Sequence, residues 1–286
     1  MNILKISFYV LIAIVMIACK QEKRLLEYDL GKGQKLKFAF IPKGTFRMGS
    51  PQDEPHRCPG WWSPNETQHD VTLTKNYYMG ITEVTQGQWY SVMGYYPFDD
   101  SLHCKICWND TCMTWKIDSP TDRGTDKPIM GVKRDEAIAF CDSLTKRFNV
   151  KFRLPTEAEW EYACRAGSNS MFCFGNDTAL LKEYAVYGNW YGKNENVATK
   201  KPNSWGLYDM HGSLWEWVLD YYGDFSNSPQ IDPKGPSLPD TISPKWTRLM
   251  RGGCAVNDAF QQRSACRHKI ELDFCNSMVG FRVLME

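Results

Sequence analysis

Two cysteines, Cys254 and Cys266, flank eleven thiol-free residues in the stretch R-G-G-C-A-V-N-D-A-F-Q-Q-R-S-A-C-R, from Arg251 to Arg267. Such a pair could carry redox chemistry, hold a soft metal ion as thiolates, or close a disulfide. A second cluster, His103-Cys104-x-x-Cys107-x-x-x-x-Cys112, offers four ligands with the local look of a zinc site. Both readings turn on the compartment, because oxidation competes with metal for the same sulfurs.

The start of the chain speaks to compartment. Lys5 supplies a positive charge, Ile6 to Ile17 form an almost unbroken apolar run, and Ala18-Cys19 close it. The run is shorter than the roughly 20 residues a spanning helix needs, and it fits a secretory signal. Its end, Met16-Ile17-Ala18-Cys19, is similar to a bacterial lipobox, with methionine where leucine is usual. The expectation is a protein acylated on Cys19 and lipid-anchored at the cell envelope, on the extracytoplasmic side (periplasm or cell surface). Residues 1–19 then form a lipoprotein-type signal peptide, 20–34 a charged tether, and 35–286 one domain. In a bacterial chain the Asn-x-Thr matches at Asn65, Asn109 and Asn176 are accidental.

Setting Cys19 aside leaves ten of the eleven cysteines, an even number that reads as a disulfide framework outside the cytoplasm. Candidates are Cys58, Cys104, Cys107, Cys112, Cys141, Cys164, Cys173, Cys254, Cys266 and Cys275. The three loop cysteines from 104 to 112 are expected to find their odd partner at Cys58 or Cys173. Cys141 and Cys164, each on a buried helix face, are expected to bridge to Cys275 or Cys266. Charge is balanced, 34 basic against 33 acidic residues, with no basic stripe, which argues against a nucleic-acid partner. Eleven tryptophans, fourteen tyrosines and 21 glycines point to a loop-rich body with an aromatic core.

The elements that must position these residues follow from pattern. Leu36 to Phe46 has strand composition broken at Pro42 and Gly44, and Val71 to Leu73 and Tyr77 to Ile81 read as short strands. Thr85-x-x-Gln88 predicts a capped helix, whereas 94–126 reads as a long loop. A second helix is predicted over Asp135 to Phe148, and a third after Thr156, with Glu159 closing its capping box and Gly167 ending it. Residues 168–245 look mostly irregular, and Trp246 to Met250 and Gly280 to Leu284 are read as paired strands. Glu157, Glu159 and Glu161 are assigned to capping and solvated faces.

Seven segments in register resemble the formylglycine-generating enzyme family, also called sulfatase-modifying-factor domains. They are F-I-P-K-G-T-F-R-M-G-S (40–50), E-V-T-Q-G-Q-W (83–89), R-L-P-T-E-A-E-W-E-Y-A-C-R-A-G (153–167), K-P-N-S-W-G-L-Y-D-M-H-G-S-L-W-E-W (201–217), R-G-G (251–253), R-S-A-C-R (263–267) and G-F-R-V (280–283). The resemblance implies an α+β, C-type-lectin-like fold, loop-rich, with few short helices and small antiparallel sheets. It also places a binding surface near the C-terminal loop.

Members of that family that make formylglycine oxidise a sulfatase cysteine with copper held by two cysteines after the Gly-Gly pair. Matched to this sequence, the first of these falls near Asn257 and the second near Ala259 to Gln262, where no cysteine stands. Copper is therefore not expected. Cys254 takes a position usually held by serine, and Cys266 lies in a segment that bridges to the Cys164 helix in some relatives. These two are the remaining candidates for catalysis, although a bridge or buried thiol suits each better. Another branch of the family holds iron with three histidines, and His56, His69, His103, His211 and His268 are isolated. The segment G-S-L-W-E-W (212–217) matches a calcium-binding G-N-x-W-E-W, so Glu216 and Ser213 are calcium candidates, weakened by a hydroxyl in place of a side-chain carbonyl.

The expectation is thus a non-catalytic envelope lipoprotein that engages a protein or glycan partner through Asn257, Asp258, Gln261 and Gln262, without a required cofactor. Two alternatives stand beside it. One is a protein-cysteine oxidoreductase of the formylglycine-generating type, using Cys254. The other is a lectin-like ligand-binding module.

Overall fold

The computed structural model describes residues 24–55, 57, 65–99, 105–108, 111–114, 123–189, 195–236, 246–271 and 275–286. Cys19, Cys58, His56, His103 and Cys104 lie outside these, so their expected roles do too. In chain order the strands β1 (Leu25–Gly31) and β2 (Gln34–Ile41) form a hairpin, followed by β3 (Gly44–Met48), β4 (His69–Leu73) and β5 (Tyr77–Gly80). Helix α1 (Gln86–Met93), the hairpin β6 (Lys105–Trp108) and β7 (Thr111–Thr114), and α2 (Arg134–Phe148) come next. Then follow β8 (Phe152–Arg153), α3 (Glu157–Arg165), α4 (Leu181–Tyr184), β9 (Trp215–Tyr221), β10 (Gln230–Ile231), β11 (Trp246–Arg251), β12 (Arg267–Glu271), β13 (Val279–Gly280) and β14 (Leu284–Met285).

The strands assemble as small sheets ordered β1-β2-β5-β14-β8, β10-β4-β3 and β12-β11-β9-β13, with β6-β7 apart. Most pairs are antiparallel as expected, but β10 with β4 and β13 with β9 run parallel. Several expectations are corrected. Residues 25–31, assigned to the tether, form β1, because alternate side chains of L-L-E-Y-D-L-G face the body and Leu30 is buried there. The segment 94–126 contains the β6–β7 hairpin. Trp246 to Met250 does not pair with 280–284. β11 lies between β12 and β9, while 279–280 and 284–285 are separate strands in different sheets.

The helices form where capping and periodicity place them. Thr85 and Thr156 each accept from the N3 backbone, and Gln88 and Glu159 reach back, so both capping boxes close. The second helix begins at Arg134, with Lys133 as its N-cap. α3 ends on Ala166 in the left-handed conformation, φ 47°, one residue before the expected Gly167. Two apolar clusters fill the interior. In one, Trp89 of α1 stacks on Phe140 of α2 at 5.5 Å and meets Phe281 edge-on. In the other, Trp160, Ala163 and Cys164 of α3 pack against Leu249, Val218 and Met79. Helix α3 is the hub, since its buried face touches β3, β9 and β11.

Candidate functional site

Glycine sets the C-terminal loop. Arg251 ends β11, and Gly252 and Gly253 swing the chain outward at φ 100° and 75°. A Cβ on Gly253 would stand 2.7 Å from the Gln261 carbonyl oxygen and 2.2 Å from Gln262 Oε1, so a side chain has no room there. The backbone N–H and the thiol of Cys254 then both donate to Asn257 Oδ1 at 3.0 Å. Asn257 N–H and Gln262 Nε2 donate to the Cys254 carbonyl, each at 3.0 Å. Asp258 caps a 3₁₀ turn over Ala259–Gln262, accepting from Phe260 N–H at 3.0 Å. Gly188 N–H to Asn257 O and Asn189 N–H to Ala255 O, both 2.8 Å, lace the loop to its neighbour.

The structure divides the four expected loop residues. Asp258 is exposed, and Asn257 and Gln261 are half-buried with their carbonyl oxygens committed inside the loop. Gln262 is corrected from displayed to structural. It is fully buried, its amide nitrogen holds Cys254 O, and its main-chain oxygen lies 2.8 Å from His211 Nδ1. The displayed residue that sequence reasoning missed is Phe260, 37% exposed. The one aromatic side chain between Cys254 and Cys266 was its available signal.

His211 is buried and held at both nitrogens. Cys173 N–H donates to Nε2 at 3.1 Å, which puts the ring proton on Nδ1, facing the Gln262 carbonyl. This histidine therefore locks the base of the loop. His69 is buried with Nδ1 at 2.9 Å from Thr67 O, and His268 stacks on Trp215. Burial lowers His268 to about 4.

Behind the loop lies a buried ion-pair cradle. Arg251 donates to Glu161, to Ser264 O at 2.8 Å and to Ala265 O at 3.2 Å. Glu161 also accepts from Arg165 at 2.9 Å and from Gly49 N–H at 2.8 Å. Arg267 grips both oxygens of Glu157 at 2.6 and 2.8 Å, and Arg263 grips both of Glu66 at 2.8 and 2.9 Å. These acids correct the assignment of Glu157 and Glu161 to a solvated face: they are 4% and 0% exposed. Their positions, in step with Trp160 and Cys164, put them on the core stripe of α3. Only Glu159 serves the cap, while also pairing with Arg153 at 2.7 Å.

Among the described residues, five thiols are unbridged. Cys141, Cys164, Cys173 and Cys254 are free, Cys266 is a buried thiol, and Cys275 is disulfide-bonded. Bridges from Cys141 and Cys164 to Cys275 or Cys266 are thus corrected. The C-terminal residue that meets Cys164 is Ser264, with Sγ to Oγ at 3.7 Å, and Met210 O lies at 3.6 Å. Burial pushes Cys164 up to about 12 and Cys254 up to about 11, so neither is a thiolate at neutral pH.

Metal fit can be tested on the same contacts. Among the described residues no group of three or more His, Cys, Asp or Glu could hold a metal ion. The Cys254 sulfur is turned onto an amide oxygen, and no sulfur occupies 255–265 to share a copper ion with it. The calcium candidate Glu216 is spent: Arg282 donates to both of its oxygens at 2.6 Å, and Trp160 Nε1 adds a third bond at 2.8 Å. Ser213 lies buried at φ 66° with its main chain bonded to Val186 and Ala255. Beside them Glu83 is fully buried. Burial, then the charges of Asp209 and Glu216, raise it well above its ordinary value.

Fold and site together define an α+β domain of small sheets that presents one tethered C-terminal loop on a floor of buried arginine–glutamate pairs. The family model described as the sulfatase-modifying factor enzyme 1-like domain matches residues 30–286, and the chain belongs to that family, with its C-type-lectin-like fold. It is similar to bovine (Bos taurus) formylglycine-generating enzyme, 33% identical over 184 residues, covering 58% of this chain and 46% of that one. The chain thus spans about half the length of that relative. Among solved structures it is similar to Treponema denticola variable protein 1, with a TM-score of 0.72, 26% identity and coverage of 91% and 98% of the two chains. PvdO from Pseudomonas aeruginosa gives a TM-score of 0.69 at 26% identity, with the same coverage.

Proposed function

We propose that this chain is an extracytoplasmic lipoprotein, anchored through Cys19, whose domain binds a partner instead of oxidising a cysteine. The observation that carries the reading is the Cys254–Asn257 contact. The thiol nearest the Gly-Gly turn is buried and donates to an amide oxygen, and the next eleven residues offer no second sulfur. Copper(I) selects soft thiolate pairs, and this loop supplies amide, carboxylate and phenyl groups. It is rigidly tied at both ends, so Asp258 and Phe260 are presented in fixed positions suited to a protein or glycan partner at the cell envelope. Pre-organisation of this kind lowers the ordering cost of binding.

The competing reading, a protein-cysteine oxidoreductase of the formylglycine-generating type, rests on the likeness to the bovine enzyme. An aldehyde assay separates the two. Reduced full-length protein is incubated with a sulfatase-derived cysteine peptide, Cu(I) and oxygen, and peptide aldehyde is measured. No aldehyde above the protein-free control is expected. Turnover that disappears in Cys254→Ala would overturn the binding reading.

A further inference from the structure

A cavity of about 370 Å³ opens between β4 with β10 on one side and α3 with the end of β9 on the other. None of residues 254–262 lines it, so it stands apart from the C-terminal loop and from any partner bound there. Two buried acceptors face it. Asp220 is 4% exposed, and its Oδ2 accepts Glu157 N–H at 2.7 Å, which leaves Oδ1 with no donor among the described residues. His69 is 2% exposed and has Nδ1 at 2.9 Å from Thr67 O. A carbonyl only accepts, so the proton sits on Nδ1 and Nε2 is left as a lone-pair acceptor.

The remaining walls decide what such acceptors would take. Met48, Ala158 and Phe225 are apolar. Arg267, the one guanidinium in the lining, is committed to Glu157, Asn65 O and Gly223 O, and its cation lies 3.7 Å over the Phe225 ring. Lys234 is exposed at the rim. A carboxylate or phosphate would face the acids Asp220, Asp224 and Glu157, with the one guanidinium in the lining already committed. A group made only of donors, with a short hydrocarbon stem, satisfies both acceptors and the apolar walls.

We propose that this cavity binds a primary ammonium group on a short carbon chain, seated on Asp220 Oδ1 and His69 Nε2 with its stem against Phe225 and Ala158. The source is either a free alkylamine or a lysine side chain of a peptide. The proposal goes beyond the reading of the C-terminal loop and does not depend on it.

The test is calorimetric titration of the full chain at pH 8.5, above the value of about 7 to which burial raises Asp220, so that its carboxylate is ionised, with n-butylammonium, N-acetyl-lysine methylamide, n-butanol and a methyl glycoside. Saturable binding of at least one of the two amines is expected, with no heat from n-butanol or the glycoside. The tighter of the two amines identifies the source. Asp220→Asn keeps an oxygen for Glu157 N–H but removes the charge, and should weaken the amine about tenfold, the usual worth of one charge-assisted hydrogen bond. Ala158→Leu fills the cavity and should abolish binding. Lys234→Ala removes a competing cation and should tighten it. If neither amine binds, if Asp220→Asn binds as well as the wild type, or if n-butanol or the glycoside binds equally, the proposal fails.

Discussion

An Arg282→Met chain is expected to lose on the order of 3–5 kcal/mol of stability, the range seen when one partner of a buried pair is removed. Arg282 is 0% exposed and donates to both oxygens of Glu216, to Gly80 O at 3.2 Å and to Tyr208 O at 3.0 Å. Its charge also faces Glu83 and Asp209, whose own ionisation is already held back by burial. Methionine fills much of the volume but leaves the Glu216 carboxyl without its counter-charge in the core and the Gly80 and Tyr208 carbonyls without this donor. Urea unfolding of the variant measures the loss. The double variant Glu216→Gln/Arg282→Met should recover part of it, because the orphaned charge is gone. A loss below about 1 kcal/mol, which is the scale of an exposed pair, would show that the pair does not hold β9 to the C-terminal segment.

This pair also shows what could be read from sequence. G-F-R-V and W-E-W were visible as motif segments, but nothing in their composition says that the arginine of one closes on the glutamate of the other, 66 residues away. The same holds for Arg267 with Glu157 and Arg251 with Glu161. Buried ion pairs obey neither of the patterns that make sequence legible, since they break the apolar stripe of a helix and join segments distant in the chain. Local signals fared better. The capping boxes at Thr85 and Thr156 and the break between β2 and β3 at Pro42 fall where composition placed them. Strands of two residues such as β13 and β14 exceed what alternation can resolve, and β1 was hidden because its charged residues resemble a tether. In the loop, the sequence pointed to Asn257, Asp258, Gln261 and Gln262 as a displayed set, but not to Gln262 turning inward while Phe260 turns outward.

The second large effect concerns pH. Burial, then the charge of Glu157, raises Asp220 from its ordinary 3.8 to about 7 in the fold. Glu159 pushes the same way, while the Glu157 N–H bond and Arg267 oppose it, and Arg134 also faces the group. Between about pH 4 and 7 the unfolded chain therefore gives up a proton that the folded chain retains. Stability falls as pH rises through this window and is level above it. At about 1.4 kcal/mol per pH unit, a raise of this size amounts to a few kcal/mol. His268 works in the opposite sense, since its lowered value costs stability as pH falls from about 6.5 toward 4. The two slopes offset each other in the wild type, so the informative quantity is a difference. Asp220→Asn should gain stability over the wild type steadily from pH 4 to 8, by a few kcal/mol in all, in parallel denaturant series. A difference that stays flat with pH would mean that Asp220 is ionised in the fold.

The claim that the C-terminal loop binds instead of oxidising is tested most directly by Cu(I) titration of the fully reduced chain against a chromophoric Cu(I) chelator. Cys254→Ser is titrated alongside, because the sequence holds ten other cysteines. The expected result is that the chelator keeps the copper and that the two proteins give superimposable curves. One equivalent of Cu(I) withheld by the wild type and released by Cys254→Ser would contradict it.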